Sequence, residues 1–488
     1  MNNKKLILTL LITVLSVCSV CGVLLSNKKN ESIANNLDFK NSNVNCFEFD
    51  ETTGTILNYN NNLESCGTDV VIPLEINDVY VKIIGEGAFF WKDITSIVLP
   101  DSIEIIEKDA FALNELTEIF IPNGVSVIGE YAFKGNYLSE DGVEINCYEE
   151  QIEIENDVFA WNTSTRRETI TPIYATPTDE SCFTFNVTTR SITKYLGVTE
   201  NCSSNIVIPK TINGVMVKEI GSYAFSGMGI TSVVFPDTIV TISNRSFINN
   251  NLVSVKITES TINVDSYAFY NNKIKIVVFN ENLTMIGSNS FKFNQLRNLV
   301  IPNSVTRINS DAFADNQLIN VILSENLSYI DSAIFANNQL TNITIPEGVT
   351  NIYTESFANN KLVSVILPNS ITEIGTKAFA NNELTAVEFP DNLVSIKYNA
   401  FEYNQLTNIT IPESVTRIYD SAFKNNKLAS INIPNNVVNI GNSVFSNNYI
   451  LQGNAIIDNS IENVILGANV FVRNGINGYE TITPTYLR

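Results

Sequence analysis

Hydrophobic and polar positions follow one another in a fixed order along most of this chain. Residues 404–418 carry the pattern in full: Asn-Gln-Leu-Thr-Asn-Ile-Thr-Ile-Pro-Glu-Ser-Val-Thr-Arg-Ile. Ile409 and Ile411 alternate with polar Asn408 and Thr410, the period-2 signature of a strand with one buried face. Pro412 ends that strand, because it has no N–H to give to a ladder. Val415 and Ile418 are predicted to point back inward on a return limb, and Ala422 and Phe423 to fill the next corner. A small residue before each Phe (Ala378, Ala400, Ala422) suits a corner where successive coils nearly touch.

The pattern keeps register. Phe89, Phe111 and Phe133 are followed by a series from Phe225 to Phe445 that takes ten steps of 22 residues without a slip. A period of roughly 20–29 residues is that of leucine-rich repeats, in which each unit buries its apolar face only against its neighbours. The predicted fold is a β-rich solenoid with short helical turns and parallel strands stacked about 4.8 Å apart. An asparagine also recurs three residues after nearly every Phe, from Asn250 and Asn272 through Asn360 to Asn448. It reads as a buried ladder of amides serving the turn backbone, which could not otherwise be satisfied. The competing reading is a polar binding stripe.

The run Leu-Thr-x-Ile-x-Ile-Pro-x-x-Val-Thr-x-Ile-x-x-x-Ala-Phe-x-x-Asn resembles the BspA-like leucine-rich repeats of bacterial surface proteins, over residues 69–161 and 205–471. It departs from them in its 22-residue unit and in placing Asn where many members have Cys. The resemblance implies a secreted or surface protein acting in adhesion or host-protein binding. It carries over no ligand, since the motif residues are structural.

The architecture occurs twice. Cys46-Phe47-Glu48-Phe49 matches Cys182-Phe183-Thr184-Phe185, and Val71-Ile72-Pro73 matches Val207-Ile208-Pro209, each at an offset of 136. Residues 168–172 recur as 480–484 at an offset of 312; 312 less 136 leaves 176, eight periods of 22. The expected organisation is a segment 1–25 for export, a polar spacer 26–45, a short capped array 46–174, a linker 175–181 and a long capped array 182–488. The shared ends read as caps, because an open solenoid would expose its apolar cross-section and strand edges. Cys46 and Cys66 are 20 apart, as are Cys182 and Cys202. In an exported chain these positions suit two local disulfides stapling the head caps, with four buried free thiols as the alternative. Cys147 is left over, and its counterpart is Asn459; it reads as an inert buried thiol.

Composition narrows the chemistry. The net charge of −21 argues against nucleic acid, whose phosphates call for Lys and Arg. The chain has no histidine, which removes the commonest general base and zinc ligand. There is no phosphate loop, nucleophile elbow or calcium loop, so neither an enzyme nor a cofactor or metal site is expected. Lys4 and Lys5 precede residues 6–25, which carry no charge. This is an export signal, either cleaved or kept as an anchor. Cys18 and Cys21 raise lipidation, although Val17 and Val20 stand where a small residue is wanted.

With the repeated positions given to structure, function is expected on the outward strand positions. One outward row includes Ser232, Ser254, Ile276 and Asn298; the next runs Val234, Lys256, Val278, Val300, Ile322 and Thr344. Val278, Val300 and Ile322 follow one another without a charge between them, and an apolar stripe on a solvent-facing sheet marks an interaction site. The competing reading is that β-branched residues simply suit exposed strands. The sequence thus points to adhesion or recognition of an extracellular protein or glycan, with a passive spacer of the cell envelope as the rival.

Overall fold

The computed structural model describes residues 43–61, 66–77, 79–139, 142–163, 169–197, 202–458, 464–474 and 480–487. The expectations for segment 1–25 with Cys18 and Cys21, for most of the 26–45 spacer, for Glu168 and for Asn459 lie outside them.

Each coil is a flattened loop with two β limbs. On the first limb, Asn342–Thr344 pairs in parallel with Ser364–Ile366, one coil on. Ile343 points inward while Asn342 and Thr344 stay outside, as alternation requires. The return limb also forms a sheet, which the hydrophobic pattern did not announce. Two-residue strands such as Asn351–Ile352 and Glu373–Ile374 pair in parallel, and they run unbroken through seven strands from Tyr329–Ile330 to Ile465–Leu466. The first limb, by contrast, is broken mostly into pairs. At residues 408–410 it makes no ladder at all, although Ile411 is buried as expected. Inward–outward alternation therefore survives where the strand itself does not.

The Phe column is a continuous stack. Ring centroids of successive coils are 4.7 Å apart at Phe225 and Phe247 and 5.9 Å apart at Phe313 and Phe335. Fully burying such a ring contributes about 1.5–3 kcal/mol, and ring pairs add roughly 0.5–1.5 kcal/mol. In most coils the spacing exceeds the ~4.8 Å of a ladder; the return limb keeps its ladder and the first limb takes up the difference.

The corner around each Phe needs two left-handed residues. In the Phe379 coil they are Lys377 (φ 53°) and Asn381 (φ 56°). Asn tolerates this region better than most residues, which accounts for the first Asn of each Asn-Asn pair. The second Asn is the buried ladder. Asn382 donates from Nδ2 to the Phe357 and Phe379 carbonyls at 2.9 and 3.2 Å, and its Oδ1 accepts from Leu362 N–H at 3.0 Å. The same bonds recur coil after coil, so the ladder reading holds and the binding-stripe reading fails. The left-handed asparagines form a second, outer ladder: Asn381 donates to Asn359 at 2.8 Å, and Asn359 to Asn337 at 2.7 Å.

Buried apolar side chains fall into two separate clusters, one within residues 46–170 and one within 182–482. Each begins with an antiparallel hairpin, Phe47–Asp50 with Thr55–Tyr59 and Phe183–Asn186 with Ser191–Tyr195. Tyr59 and Tyr195 continue the Phe stack, each 5.2 Å from the first Phe ring. Disulfides join Cys46 to Cys66 and Cys182 to Cys202, with Cα atoms 5.8 and 5.9 Å apart, and Cys147 is a buried free thiol. The helical turns are three-residue 3-10 pieces, two of them, Val44–Cys46 and Glu180–Cys182, opening the caps.

Candidate recognition surface

Strand alternation pushes two rows of side chains out from the first limb of the long array, and those rows are not uniformly exposed. Val234 and Ile276 are 4% and 7% exposed, yet neither is part of either array's packed apolar cluster. Further along the same face Val300, Ile322 and Ile366 are 46%, 64% and 63% exposed. The burial comes from the short array, which lies against the first coils of the long one.

The contact centres on a small hairpin, Glu75–Ile76 paired antiparallel with Val79–Tyr80. Tyr80 donates its hydroxyl hydrogen to the Lys275 carbonyl at 2.9 Å, and its oxygen accepts from Asn298 N–H at 3.2 Å. Glu75 pairs with Arg297 at 2.9 Å and accepts from Asn298 Nδ2 at 3.0 Å. Beyond the hairpin, Gln151 donates to the Phe235 carbonyl at 2.5 Å and to Asp237 at 3.2 Å, and the Tyr148 hydroxyl donates to the Ile208 carbonyl.

Desolvation marks the ionisable groups caught there. Burial pushes the Tyr80 phenol up to about 12, opposed by its bond from Asn298. Burial also raises the Asp101 carboxyl, against a hydrogen bond from Ser254 and the Lys275 charge. The Lys256 amine is lowered by loss of water, although Asp237, Glu259 and Glu104 attract its charge.

The three stripe residues are thus divided. Val278 is half-buried and, with Val300, lines the cleft where the arrays meet, opposite Tyr80, Lys82 and Glu104. Lys82 and Glu104 pair across this edge at 3.0 Å. Ile322 stands clear of the cleft. Ile366, two coils beyond Ile322 on the same outward row, is as exposed as Ile322. The cleft holds about 180 Å³, below the ~300 Å³ where small-molecule sites begin. Among the described residues no group of Cys, Asp or Glu is placed to hold a metal ion, and no helix is long and apolar enough to cross a membrane.

The role of Glu75 and Tyr80 was missed, although a signal existed. The hairpin recurs in the long array as Thr211–Ile212 and Val215–Met216. At the offset of 136, Glu75 and Tyr80 fall opposite Thr211 and Met216, and those differences sit at the contact.

A family profile described as BspA type Leucine rich repeat region matches residues 82–199, 218–341 and 328–452, well over half of the chain. No curated protein matches. Among solved structures, the pneumococcal vaccine antigen PcpA is similar at 21% identity, over 58% of this chain and 69% of that one, with a TM-score of 0.37. A leucine-rich repeat protein of Bacteroides ovatus is 20% identical over 91% of this chain and 98% of that one, TM-score 0.35. A leucine rich cell surface protein of Faecalibacterium prausnitzii is 20% identical over 81% and 88%, TM-score 0.24.

Proposed function

This chain belongs to the BspA-type leucine-rich-repeat family, and from that premise we propose that it is an exported recognition protein that binds an extracellular protein or glycan through the open part of the long array's first sheet. The observation that carries this reading is the pair Ile322 and Ile366, two large apolar side chains held in solvent on one face. A solitary exposed apolar residue is ordinary. Val300 is exposed one coil before Ile322, and Thr344 is the single polar position between Ile322 and Ile366. The three form an apolar stretch broken once, on a scaffold whose repeated residues are occupied by packing and ladders, the kind of surface interfaces use. The two head-cap disulfides fit an oxidising compartment outside the cytosol.

The reading as an envelope spacer gains nothing from a short array folded back onto its neighbour, since a spacer works by extending. Catalysis would need a constellation of reacting side chains, and the sequence, without histidine or a catalytic motif, points away from one. The test is to probe the purified chain against arrayed extracellular proteins and glycans. Reproducible, saturable binding supports recognition; binding to neither class contradicts it. Mass spectrometry of the secreted or surface-extracted protein would define the mature N-terminus, with removal of residues 1–25, lipidation at Cys18 or Cys21, and retention of the whole segment giving three distinct masses.

A further inference from the structure

The long array's outward face follows one pattern from end to end, yet over its first coils it is covered, fully at Ile276 and in part at Lys256 and Val278. We propose that the short array is a reversible lid, latched by the hairpin of Glu75 and Tyr80, that gates access to the outward face around Lys256, Ile276 and Val278. This does not depend on the open face being the recognition surface.

Separation exposes no core. Each array has its own hydrophobic cluster, hairpin cap and disulfide, and Val234, Ile276 and Tyr148 are buried without belonging to either cluster. The latch is polar: an ion pair, several hydrogen bonds and desolvated charges, the composition of interfaces across which domains move. An ion pair with one partner in part exposed weakens with salt. Arg297 retains 42% of its side-chain exposure while Glu75 retains 7%.

The duplicated hairpin argues for specialisation. Ile76 and Ile212 are both buried beneath their hairpins, and Asn77 and Asn213 both take the left-handed turn position. What shapes the hairpin is therefore shared. The residues that reach the other array are not: Glu75 and Tyr80 stand where the second copy has Thr211 and Met216, and Met216 is exposed.

The tether permits a small opening. Ile173–Tyr174 closes the short array's sheet and Glu180–Cys182 opens the next cap, leaving residues 175–179 between them. Five residues reach about 17 Å at full extension, a span open only once Ala175 N–H releases the Cys147 carbonyl, to which it donates at 3.2 Å. Thr178 N–H donates to the Val207 carbonyl at 2.9 Å, and its Oγ1 accepts from Val207 N–H at 3.0 Å, so the tether is itself fastened at the seam. Such a short linker keeps the latch at millimolar effective concentration, and a modest polar interface then suffices to hold the closed form.

Lys256 reports the state. Lys256 is half-buried beneath the short array, and opening the lid would return its amine to water and to ordinary reactivity, so slow acylation means cover. In the intact chain at low salt, Lys256 should acylate at least roughly tenfold more slowly than exposed Lys427, as expected when the open form is a minor population. Glu75→Arg should bring the two rates within about threefold while the thermal unfolding of the long array is unchanged, and adding Arg297→Glu should restore protection. Raising salt on the unsubstituted chain gives the same reading without any variant: Lys256 should accelerate more than Lys427. Equal rates at low salt, protection that ignores both salt and a folded Glu75→Arg protein, or a charge swap that fails to restore it would each overturn the lid.

Discussion

The side-chain amide of Asn360 donates to the carbonyl oxygen of Phe335 in the preceding coil, at 2.9 Å. It also donates to Phe357 in its own coil at 3.2 Å, and its oxygen accepts from Leu340 N–H at 3.0 Å. One side chain thus closes backbone groups in two coils where no water reaches. Asn360→Ala should cost about 1–3 kcal/mol, because those partners stay buried and unpaired. Asn360→Asp should cost more: it removes both donors and sets a negative charge against two carbonyls. Thermal unfolding of the two variants tests this, and unchanged melting for both would contradict a structural role for the ladder.

The outer asparagines stabilise through conformation first. Asn381 sits at φ 56°, where a side chain branched at Cβ is most disfavoured. Asn381→Val should therefore lose about 1–2 kcal/mol, plus its bond to Asn359. Asn381→Gly should stay within about 0.5 kcal/mol, since glycine enters this region freely. Denaturant midpoints separate the cases; equal loss for Val and Gly would show that the side-chain bond, and not the backbone, carries the effect.

The caps make a covalent prediction. Thiol alkylation of the unreduced, denatured protein should modify Cys147 and spare Cys46, Cys66, Cys182 and Cys202. Replacing Cys182 and Cys202 together by Ala should lower stability by about 3 kcal/mol, the chain-entropy value for a loop of this size. Alkylated Cys182 in oxidised protein would contradict the pairing.

What the sequence made legible follows from repetition. A residue that recurs every 22 positions becomes a column, so the Phe423 stack and the Asn426 ladder could be read without coordinates. Asn425, beside Asn426, repeats just as well but acts through its backbone angle, which a list of side-chain roles does not display. The return sheet was hidden because pairs such as Arg417–Ile418 are too short to show any period. The stripe was only partly legible: alternation sent Val278 and Ile322 to the same face, but the cover over Val278 comes from Tyr80, 198 positions earlier in the chain. That contact is not periodic, and its trace lay in the mismatch between Tyr80 and Met216.

The most direct test of recognition by the open face compares Ile322→Glu with Thr410→Glu, on the same outward row but several coils apart. Both are surface changes and should fold within about 0.5 kcal/mol of the unsubstituted chain. Measured against the partner that the protein and glycan arrays identify, Ile322→Glu should weaken binding by about 2 kcal/mol, as a charge at the centre of a desolvated contact does, or roughly 30-fold in Kd. Thr410→Glu should leave Kd nearly unchanged. Equal loss for the two variants, or no loss for either, would contradict the assignment of the open face around Ile322 as the recognition surface.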